Sequence, residues 1–600
     1  MPASAFTTRP ELLGTFGMVA STHWLASAAG MAVLEAGGNA YDAAVAAGFV
    51  LHVVEPHLNG VGGDMPAICH DARTGRTFVV CGQGTAPAAA TPEVFTDEGL
   101  AEIPGTGLLA ATVPGTFGAW MLMLERYGTM RLREVLGYAI GYARDGYPLV
   151  AQAVNTIAAV APVFAEHWQT SAQIYTPAGR APEPRSRFAN PMLADTLDRL
   201  VAEGEAAGTT REAQIEGARR AFYAGFVAEA IHDFAATEQW DPTGTHRGLL
   251  TGADLDGWRA SEEEPLVADF AGVQVAKTGP WGQGPVLLQQ LRILETFDLA
   301  SMSPGSADLV HTVVESAKLA FADREACYGD PDHVDVPTGE LTSPSYAAER
   351  ARLIGPMADG ALRPGSPGGR EPHLPRAVLA AMADGGAWPD GLATPPVPGQ
   401  GEPTVARGDT CHLDVVDRWG NVVSATPSGG WLQSSPSIPD LGFALGTRAQ
   451  MFWLEQGLAS SLAPGRRPRT TLSPSMLLRD GRPYLAFGTP GGDQQDQWTV
   501  PFLINHLVFG MDLQAAIDAP TWHTTHGPSS FAPRVAEPFG VRAESRLGAG
   551  VLADLRRRGH QLTEADPWSL GRVSAAGIRP DGLLVAAANP RGMQGYAVGR

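Results

Sequence analysis

The sequence predicts a mixed α+β fold in which helices and strands follow one another along a single long chain. Three observations favour this class. Ala- and Leu-rich helical segments dominate the first part of the chain, alternating apolar and polar segments dominate the part after residue 410, and the 600 residues are 44% hydrophobic and only 18% charged. This composition is typical of a globular protein with a large core. Single enzymatic units built from interleaved layers reach this length, although ordinary domains do not.

The first part of the chain contains clear local signals. Residues 17–50 read GMVASTHWLASAAGMAVLEAGGNAYDAAVAAGFV, and the Gly-Gly-Asn break inside this stretch predicts two helices joined by a turn. The segments MPAICHD and RTFVVCG flank the turn ARTG and predict a hairpin. Strands are expected over 267–279, and helices over 116–145, 189–236, 284–298 and 306–327.

From residue 359 to residue 409 the composition shifts strongly towards Pro and Gly, which predicts a poorly ordered segment. Behind it lies a series of alternating segments that predict strands. They are HLDVVD, NVVSATPS, GFALGT, TTLSPSMLLRDG and PYLAFGTPGG. The sequence DRWGN, residues 417–421, predicts the turn of a hairpin between the first two.

Charge and composition exclude several classes of partner. The formal net charge is −20 and only two residues are lysine, so neither nucleic acid nor an anionic membrane surface is an expected partner. None of the four cysteines forms a Cys-x-x-Cys pair, which favours buried free thiols in a reducing compartment. The first residues lack a secretory signal, and no apolar run reaches eighteen residues. We therefore expect a cytoplasmic protein.

No cofactor is expected, and the histidines do not predict a metal site. They are scattered, without a His-x-x-x-His pair on one helix face, so a structural role is expected for each of those singled out: His23, His57, His311, His412 and His523.

Thr410 is the first candidate for chemistry, because it stands where the Pro/Gly-rich segment meets a strand. A threonine hydroxyl is a weak nucleophile unless a base lies beside it, and its own α-amino group can be that base. That amine exists only if the Asp409–Thr410 peptide bond is broken, and it titrates near ~7.7–8.0 when unperturbed. The alternative is a threonine that opens a strand with cap-like hydrogen bonding.

Three further motifs have both a chemical and a structural interpretation. The sequence GTPGGD, residues 488–493, could turn two backbone N–H groups towards an oxyanion or form a simple tight turn. The hydroxyl-rich RTTLSPS, residues 469–475, could position a substrate or satisfy strand ends. The sequence NGVGGD, residues 59–64, does not match Gly-x-Gly-x-x-Gly, so a close-packed backbone crossing is expected there. No Gly-x-Ser-x-Gly elbow is present.

Taken together and in this order, the motifs resemble those of the γ-glutamyltranspeptidase family of N-terminal-nucleophile hydrolases. The resemblance covers nearly the whole chain. Its matching stretches are residues 18–64, ATVPGTFGAW, YARDGYPL, LLQQLRILETFDL, AFADREACYGDPD, DTCHLDVVDRWGNVVSAT, PGRRPRTTLSPSM and GTPGGDQQ.

The resemblance implies a proenzyme that cleaves itself between Asp409 and Thr410. The products would be a large subunit, 1–409, whose C-terminal segment 359–409 is flexible, and a small subunit, 410–600. The two would fold jointly as a four-layer αββα sandwich and stay together as a heterodimer. By resemblance, Thr410 attacks the Asp409 carbonyl, water opens the ester, and the freed Thr410 provides both nucleophile and amine base.

The resemblance also assigns roles to residues around the nucleophile. Gly491 and Gly492 match the family's oxyanion-hole pair. Ser428 stands where the family has a second threonine, so a hydroxyl is retained. Thr470 and Thr471 match a serine pair that helps to hold the substrate carboxylate.

The substrate pocket departs from the family pattern. Gln83 stands in place of the arginine that clamps the γ-glutamyl carboxylate, Met451 in place of the acid that holds the ammonium group, and Gly430 in place of a pocket asparagine. Each charge-assisted hydrogen bond of such a clamp contributes about 1.5–3 kcal/mol, so γ-glutamyl binding should be much weaker here. The candidates for reshaping the pocket are Arg448, Arg469 and Trp453.

These observations predict an autoprocessing threonine amidohydrolase or acyltransferase with altered γ-glutamyl specificity. Its substrate would be a small-molecule amide or γ-glutamyl-type compound, and its acyl acceptor would be water or an amine. The alternatives are a true γ-glutamyl transferase or glutathione hydrolase, a cephalosporin-acylase-like or oxamate-amidohydrolase-like enzyme, and an unprocessed, non-catalytic binding protein.

Overall fold

Helices and strands alternate along the chain in the computed structural model, which describes residues 6–387 and 410–600. The helices are α1 Trp24–Glu35, α2 Ala40–Val54, α3 Pro92–Asp97, α4 Thr116–Tyr127, α5 Leu132–Asp145, α6 Ala151–Glu166, α7 Gln169–Tyr175, α8 Pro191–Ala207, α9 Arg211–Tyr223, α10 Phe226–Ala235, α11 Gly252–Gly257, α12 Gly284–Leu294, α13 Ala307–Cys327, α14 Thr338–Leu341, α15 Pro344–Ala351, α16 Arg376–Ala383, α17 Gln495–Leu503, α18 Leu513–Asp518 and α19 Ala549–Arg557.

The strands are short and distributed over both halves of the chain. They are β1 Leu12–Gly14, β2 Gly17–Ser21, β3 Met65–Asp71, β4 Arg76–Gly82, β5 Tyr147–Pro148, β6 Arg187–Phe188, β7 Glu238–Asp241, β8 Gly244–Arg247, β9 Ser261–Glu263, β10 Leu266–Phe270, β11 Val273–Lys277, β12 Leu413–Asp417, β13 Val422–Ala425, β14 Ser475–Arg479, β15 Arg482–Gly488, β16 Trp522–Thr524, β17 Gly540–Glu544, β18 Gln561–Ala565, β19 Ser574–Ile578, β20 Leu584–Ala588 and β21 Tyr596–Gly599. The predicted α+β class is confirmed.

The predicted break between the first two helices is present, and its chemistry explains it. Gly37 adopts a positive φ of 99°, which a residue with a side chain rarely takes. The side chain of Asn39 accepts hydrogen bonds from the amides of Tyr41 and Asp42, and Asp42 accepts one from the Asn39 amide in return. This capping box starts α2, whose fifteen residues are all buried. The predicted hairpin is also confirmed as β3 and β4.

Two seven-stranded antiparallel sheets form the centre of the molecule. In sheet I the strand order is β21-β2-β12-β13-β3-β4-β9, and in sheet II it is β1-β20-β19-β15-β14-β11-β10. Each sheet contains strands from both sides of residue 410: β12, β13 and β21 lie among strands of the preceding part in sheet I, and β14, β15, β19 and β20 do so in sheet II. Neither part of the chain could therefore form these sheets alone.

The two sheets pack face to face, and helices cover their outer faces. Because successive strand residues point to opposite sides, Val416 lies in the layer between the sheets while Val415 lies in the outer core of sheet I. The layer between the sheets includes Met18, Ala20, Ile68, Val79, Val422, Ala276, Met476, Ala486, Ala576 and Ala586. Helices α1, α2 and α4 pack on sheet I, and α12 and α18 pack on sheet II.

Two expectations about local structure are wrong. The segment GFALGT does not form a strand: the amide of Gly446 donates to the carbonyl of Gly62 at 2.8 Å, and Leu445 makes only an isolated bridge with that glycine. The start of the predicted flexible segment must also be corrected, because residues 359–387 include α16, whose buried Val378 packs with Trp453 and Leu458. The rest of the predicted segment lies outside the described residues.

Among the described residues, no helix combines the length and the apolar character needed to cross a membrane.

Candidate active site

Three polar residues stand in one row across sheet I. Thr410 forms a bridge with Ser428, and Ser428 forms one with Asp64; both bridges continue the ladders of β12, β13 and β3 in register. Met65 pairs with Gly82 at the end of the β3–β4 ladder, and Gln83 is the residue that follows β4. By the alternation of the strands the side chains of this row belong to the face of sheet I that is turned towards sheet II. The row lies just beyond the packed layer between the sheets.

The Thr410 hydroxyl is fully buried, and Oγ1 lies 3.3 Å from Oγ of Ser428. The Ser428 amide donates to the Asp64 carbonyl at 2.9 Å, and the Asp64 amide donates to the Ser428 carbonyl at 2.8 Å. These backbone bonds fix the position of Ser428, which carries the predicted second hydroxyl, relative to Asp64. The sequence-predicted pair Thr410 and Ser428 is thus brought together.

The glycines of NGVGGD explain how the chain reaches this arrangement. A Cβ atom on Gly63 would lie 2.0 Å from the Ser428 carbonyl oxygen, and one on Gly62 would lie 2.1 Å from the carbonyl oxygen of Ala444. Gly430 faces the same crossing with a φ of 63°, so no side chain is available there for a substrate. The predicted close-packed backbone crossing is confirmed, and it lies directly against the candidate site.

Asp64 connects the row to Arg448 and to the hydroxyl-rich motif. Nε of Arg448 donates to both oxygens of the Asp64 carboxylate, at 3.0 and 3.1 Å. The Thr470 hydroxyl donates to Oδ2 at 3.5 Å. Burial raises the pKa of Asp64, although Arg448 and the hydrogen bonds oppose that shift. The site therefore contains a buried ion pair directly beside Ser428, whose backbone is bonded to the backbone of Asp64.

The loop that follows β15 reaches the same end of the sheets. A Cβ atom on Gly488 would lie 2.3 Å from the ring of His412, two residues from Thr410, so β15 ends against the start of β12. The next turn contains Gly491 and Gly492, with φ values of 130° and 52°. Gln283 donates to the Gly492 carbonyl at 3.2 Å. The turn is thus held on both sides by packed elements.

A buried network of charges lies behind that turn. Asp493 accepts hydrogen bonds from Arg324, from the Ser530 amide and from the Ser530 hydroxyl. Burial acts to raise the pKa of Asp493, but Arg324 and Ser530 outweigh it and hold the pKa below its usual range. The neighbouring Glu325 accepts hydrogen bonds from Arg469 at 2.8 Å and from Trp453 at 3.1 Å. The network ties the turn to α13.

These contacts separate the three residues proposed to reshape the pocket. Arg469 and Trp453 are engaged with Glu325, and Arg469 also donates to Ser530 at 3.3 Å, so both act within the network. Arg448 instead lies beside a buried apolar cluster formed by Trp431, Met451 and Phe531. Met451, predicted to stand where a related site would have an acid, therefore lies among apolar side chains.

The other predicted pocket residues are also buried. The Gln83 side chain is 1% exposed, and neither of its amide atoms has a hydrogen-bond partner among the described residues. The same holds for the Thr471 hydroxyl in the described part of the chain. Asp409 lies outside the described residues.

Sequence reasoning missed a polar cluster under the residue that follows Thr410. The Cys411 thiol donates to Oε2 of Glu55 at 2.9 Å and accepts from the Asn59 amide at 3.1 Å. Thr22 and Gln594 also donate to the Glu55 carboxylate. Burial raises the pKa of both Glu55 and Cys411. The backbone at Cys411 is thus anchored from the outer face of sheet I, by residues far apart in sequence.

His311, Glu315 and His560 form a group whose ligand atoms lie within 4.8 Å of one another. The two imidazoles hydrogen-bond at 2.8 Å, and Lys318 and Arg363 pair with the Glu315 carboxylate. Burial lowers the pKa of His311 and, together with the neighbouring cations, that of His560 to about 3. A metal cation bound here would be repelled by Lys318 and Arg363. The arrangement therefore favours a structural ion-pair cluster over a metal site.

Comparison with known proteins gives consistent matches over the chain. A family model described as Gamma-glutamyltranspeptidase matches residues 26–599. The glutathione hydrolase-like YwrD proenzyme of Bacillus subtilis (strain 168) is 31% identical over 98% of this chain and 99% of its own. The acylase ACY 1 proenzyme of Pseudomonas sp. (strain SE83) is 32% identical over 96% of this chain and 92% of its own. The structure of LmbA2991HD matches with a TM-score of 0.92 and 54% identity, over 99% of this chain and 100% of that one.

The family model and these relatives define an enzyme of the hydrolase and transferase class. The chain belongs to the gamma-glutamyltranspeptidase family. The resemblance stated from the sequence is confirmed.

Proposed function

We propose that this protein is an autoprocessing threonine amidohydrolase or acyltransferase in which Thr410 is the nucleophile and γ-glutamyl specificity is altered. The observation that carries the proposal is the buried Thr410 hydroxyl, 3.3 Å from the Ser428 hydroxyl at the entrance to β12. The names of two relatives as proenzymes support the processing step.

Processing begins when the Thr410 hydroxyl oxygen attacks the Asp409 carbonyl carbon. The C–N bond between the two residues breaks as the nitrogen takes a proton, and an ester to the threonine remains. Water hydrolyses this ester and leaves an Asp409 carboxylate and a Thr410 with a free hydroxyl and a free α-amine. The fragments 1–409 and 410–600 then form one four-layer αββα sandwich, since each sheet takes strands from both.

In the mature enzyme the Thr410 amine removes the proton of the hydroxyl as it attacks a substrate amide. The amine leaving group departs with a proton, and the acyl group stays on Thr410 as an ester. Water or an amine then attacks the ester and restores the hydroxyl. The N–H groups of Gly491 and Gly492 would stabilise the oxyanion in both steps, and Ser428 would orient the nucleophile.

A true γ-glutamyl transferase or glutathione hydrolase is the less favoured alternative. Recognition of a γ-glutamyl group requires a cation for its carboxylate and an anion for its ammonium group. At the positions of the family's clamps this chain has the uncharged Gln83 and the apolar Met451, which packs against Trp431 and Phe531. Both substitutions remove charge from the pocket.

The processing step gives the direct test. Purified protein is incubated and followed by denaturing electrophoresis, and the smaller fragment is sequenced from its N-terminus. We expect two fragments, the smaller beginning Thr-Cys-His-Leu, together with hydrolysis of an acyl p-nitroanilide. A chain that remains at 63.0 kDa on prolonged incubation would contradict the proposed enzymatic function and would favour a non-catalytic binding protein.

Gly491→Ala should lower kcat much more strongly than it lowers the stability of the fold. The new Cβ atom would lie 2.2 Å from the Trp498 ring, so the turn must move. Loss of one oxyanion donor lowers kcat by about 10²–10³-fold, and we expect a decrease of this size for p-nitroanilide hydrolysis per processed molecule.

Gly481→Ala is the matched control, because Gly481 also has a positive φ, 73°, but nothing lies within 4 Å of its would-be Cβ. It should lower the thermal midpoint slightly through backbone strain of about 1–2 kcal/mol and leave kcat unchanged. Equal kcat values for the two variants would contradict the role of the Gly491 turn.

A further inference from the structure

Three buried polar residues lie next to Thr410 in the layer between the sheets. Nδ1 of His412 is hydrogen-bonded to the Thr426 hydroxyl at 2.9 Å, and Nε2 of His412 to Oδ1 of Asp414 at 2.9 Å. All three residues are 0% exposed. By the alternation of the strands their side chains share the face of sheet I to which Thr410 belongs. Because both ring nitrogens have protein partners, the contacts favour a positioning role for His412 over proton transfer to a substrate.

Asp414 also connects this strand pair to sheet II. The hydroxyl of Ser574, on β19, donates to Oδ2 of Asp414 at 3.2 Å. Ser574 pairs with Gly488, the last residue of β15. The missing side chain of Gly488 lets the His412 ring lie against β15, since a Cβ atom there would be 2.3 Å from Cε1 of the ring. The two sheets are therefore joined through the Asp414 carboxylate.

A second hydrogen bond joins the sheets beside the first. Ser424 pairs with Asp414 in the ladder of β12 and β13, and its hydroxyl donates to the Phe487 carbonyl at 3.3 Å. The neighbouring part of the layer includes apolar side chains such as Val416 and Ala486, whose contacts have no preferred direction. Hydrogen bonds are directional, and buried ones rigidify the structure around them. The polar bridge therefore fixes the position of one sheet relative to the other.

The bridge lies between two groups that the proposed reaction requires. His412 follows Thr410 by two residues, and Gly488 precedes Gly491 by three. Oxyanion donors act at about 2.7–3.1 Å from the developing charge. A misplacement of about 1 Å can lower the rate on the order of 10²-fold. A shift of the sheets at the bridge would therefore move the nucleophile away from the oxyanion turn.

We propose that Asp414 and Ser574 are positioning residues that hold the Thr410 hydroxyl at the correct distance from the oxyanion turn. This turn contains Gly491 and Gly492, and the inference rests on the function proposed for it and for Thr410. An oxyanion forms in both acylation and deacylation but not in substrate binding. Loss of the bridge should therefore lower kcat and leave KM nearly unchanged.

Ser574→Ala tests the link to sheet II, because it leaves the His412–Asp414 pair in place. We expect kcat for p-nitroanilide hydrolysis per processed molecule to fall by about 10-fold, with KM nearly unchanged. In the Gly491→Ala background the same change should lower kcat by less than about 3-fold, because the turn has already moved and the two effects are coupled. A general loss of folded protein would lower kcat by the same factor in both backgrounds.

Asp414→Asn gives a second measurement, because it keeps the shape of the side chain and removes its charge. Both the His412 contact and the Ser574 contact should weaken, so we expect a larger decrease in kcat, about 100-fold.

Ser171→Ala is the matched control. Ser171 is also 0% exposed, and its hydroxyl accepts a hydrogen bond from the Ser437 amide at 2.9 Å, but it lies on α7, which contributes no residue to the candidate site. It should leave kcat unchanged in both backgrounds.

Equal decreases for Ser574→Ala in the two backgrounds would overturn the inference, because Ser574 would then act independently of the turn. An unchanged kcat in Ser574→Ala, or an effect on KM alone, would also overturn it and leave the threonine mechanism standing. Wild-type protein that is neither processed nor active would overturn the proposed function and the inference with it. The Ser574→Ala comparison decides if Asp414→Asn does not fold.

Discussion

Thr410→Ala is expected to leave a single 63.0 kDa chain without measurable amide hydrolysis. In the proposed mechanism the Thr410 hydroxyl attacks the Asp409 carbonyl and later accepts the acyl group, so the alanine variant would lose the nucleophile of both processing and turnover. Loss of a catalytic nucleophile lowers kcat on the order of 10⁶-fold. Denaturing electrophoresis and a p-nitroanilide assay measure the two effects on one preparation.

Thr410→Ser is the matched control, because serine keeps the hydroxyl beside Ser428 and gains the same α-amine after cleavage. It should yield two fragments and measurable hydrolysis. Cleavage at the same bond in the alanine variant would show that another residue attacks the peptide. Full processing without any hydrolysis in the serine variant would place the catalytic hydroxyl elsewhere.

Arg324→Met is expected to lower the free energy of unfolding by about 3–5 kcal/mol, because it leaves the Asp493 carboxylate buried without its cationic partner. Arg324 is 2% exposed, and it also donates to Gln283 at 2.8 Å. Asp493 follows Gly492 directly, so the turn should lose its fixed geometry as well. Urea unfolding in the Thr410→Ala background measures stability on an uncleaved chain, and the processed single variant reports the loss of kcat.

Arg133→Met removes an arginine with the same replacement from an exposed site. Arg133 bonds to Glu205 at 2.7 and 2.8 Å, but its side chain is 49% exposed. Exposed ion pairs contribute about 0–1 kcal/mol, so stability and activity should change little. Similar losses of stability in both variants would mean that the Arg324 network has no special role in the fold.

Local patterns in the sequence were sufficient for the elements that depend on neighbouring residues. The break at Gly37 and the hairpin of β3 and β4 follow from turn residues and from alternation within a short window. The crossing at Gly62 and Gly63 was also predictable, since paired glycines without a phosphate-binding pattern indicate close backbone approach. The alternating pattern of GFALGT wrongly predicted a strand, because this segment contacts the glycines of the backbone crossing and does not join a sheet.

The contacts that define the pocket could not be predicted from local sequence patterns. Arg448 and Asp64 are 384 residues apart, and Arg324 and Asp493 are 169 apart. The sequence singled out Arg448 and Arg469 equally, and only the three-dimensional partners distinguish them: Arg469 is bound to Glu325, while one edge of Arg448 faces the apolar cluster. The Glu55–Cys411 contact gave no signal at all, because a single buried glutamate has no pattern in sequence.

Both sheets contain strands from both parts of the chain. After the proposed cleavage, refolding of the denatured enzyme would therefore differ from folding of the uncut chain. An uncut chain finds its strand partners within one molecule, at an effective concentration set by the tether. Once the bond before Thr410 is cut, a denatured enzyme must reassemble two separate chains, and its recovery becomes dependent on dilution. If cleavage occurs as proposed, the mature protein would keep its activity because it unfolds slowly, and it would no longer refold readily after denaturation.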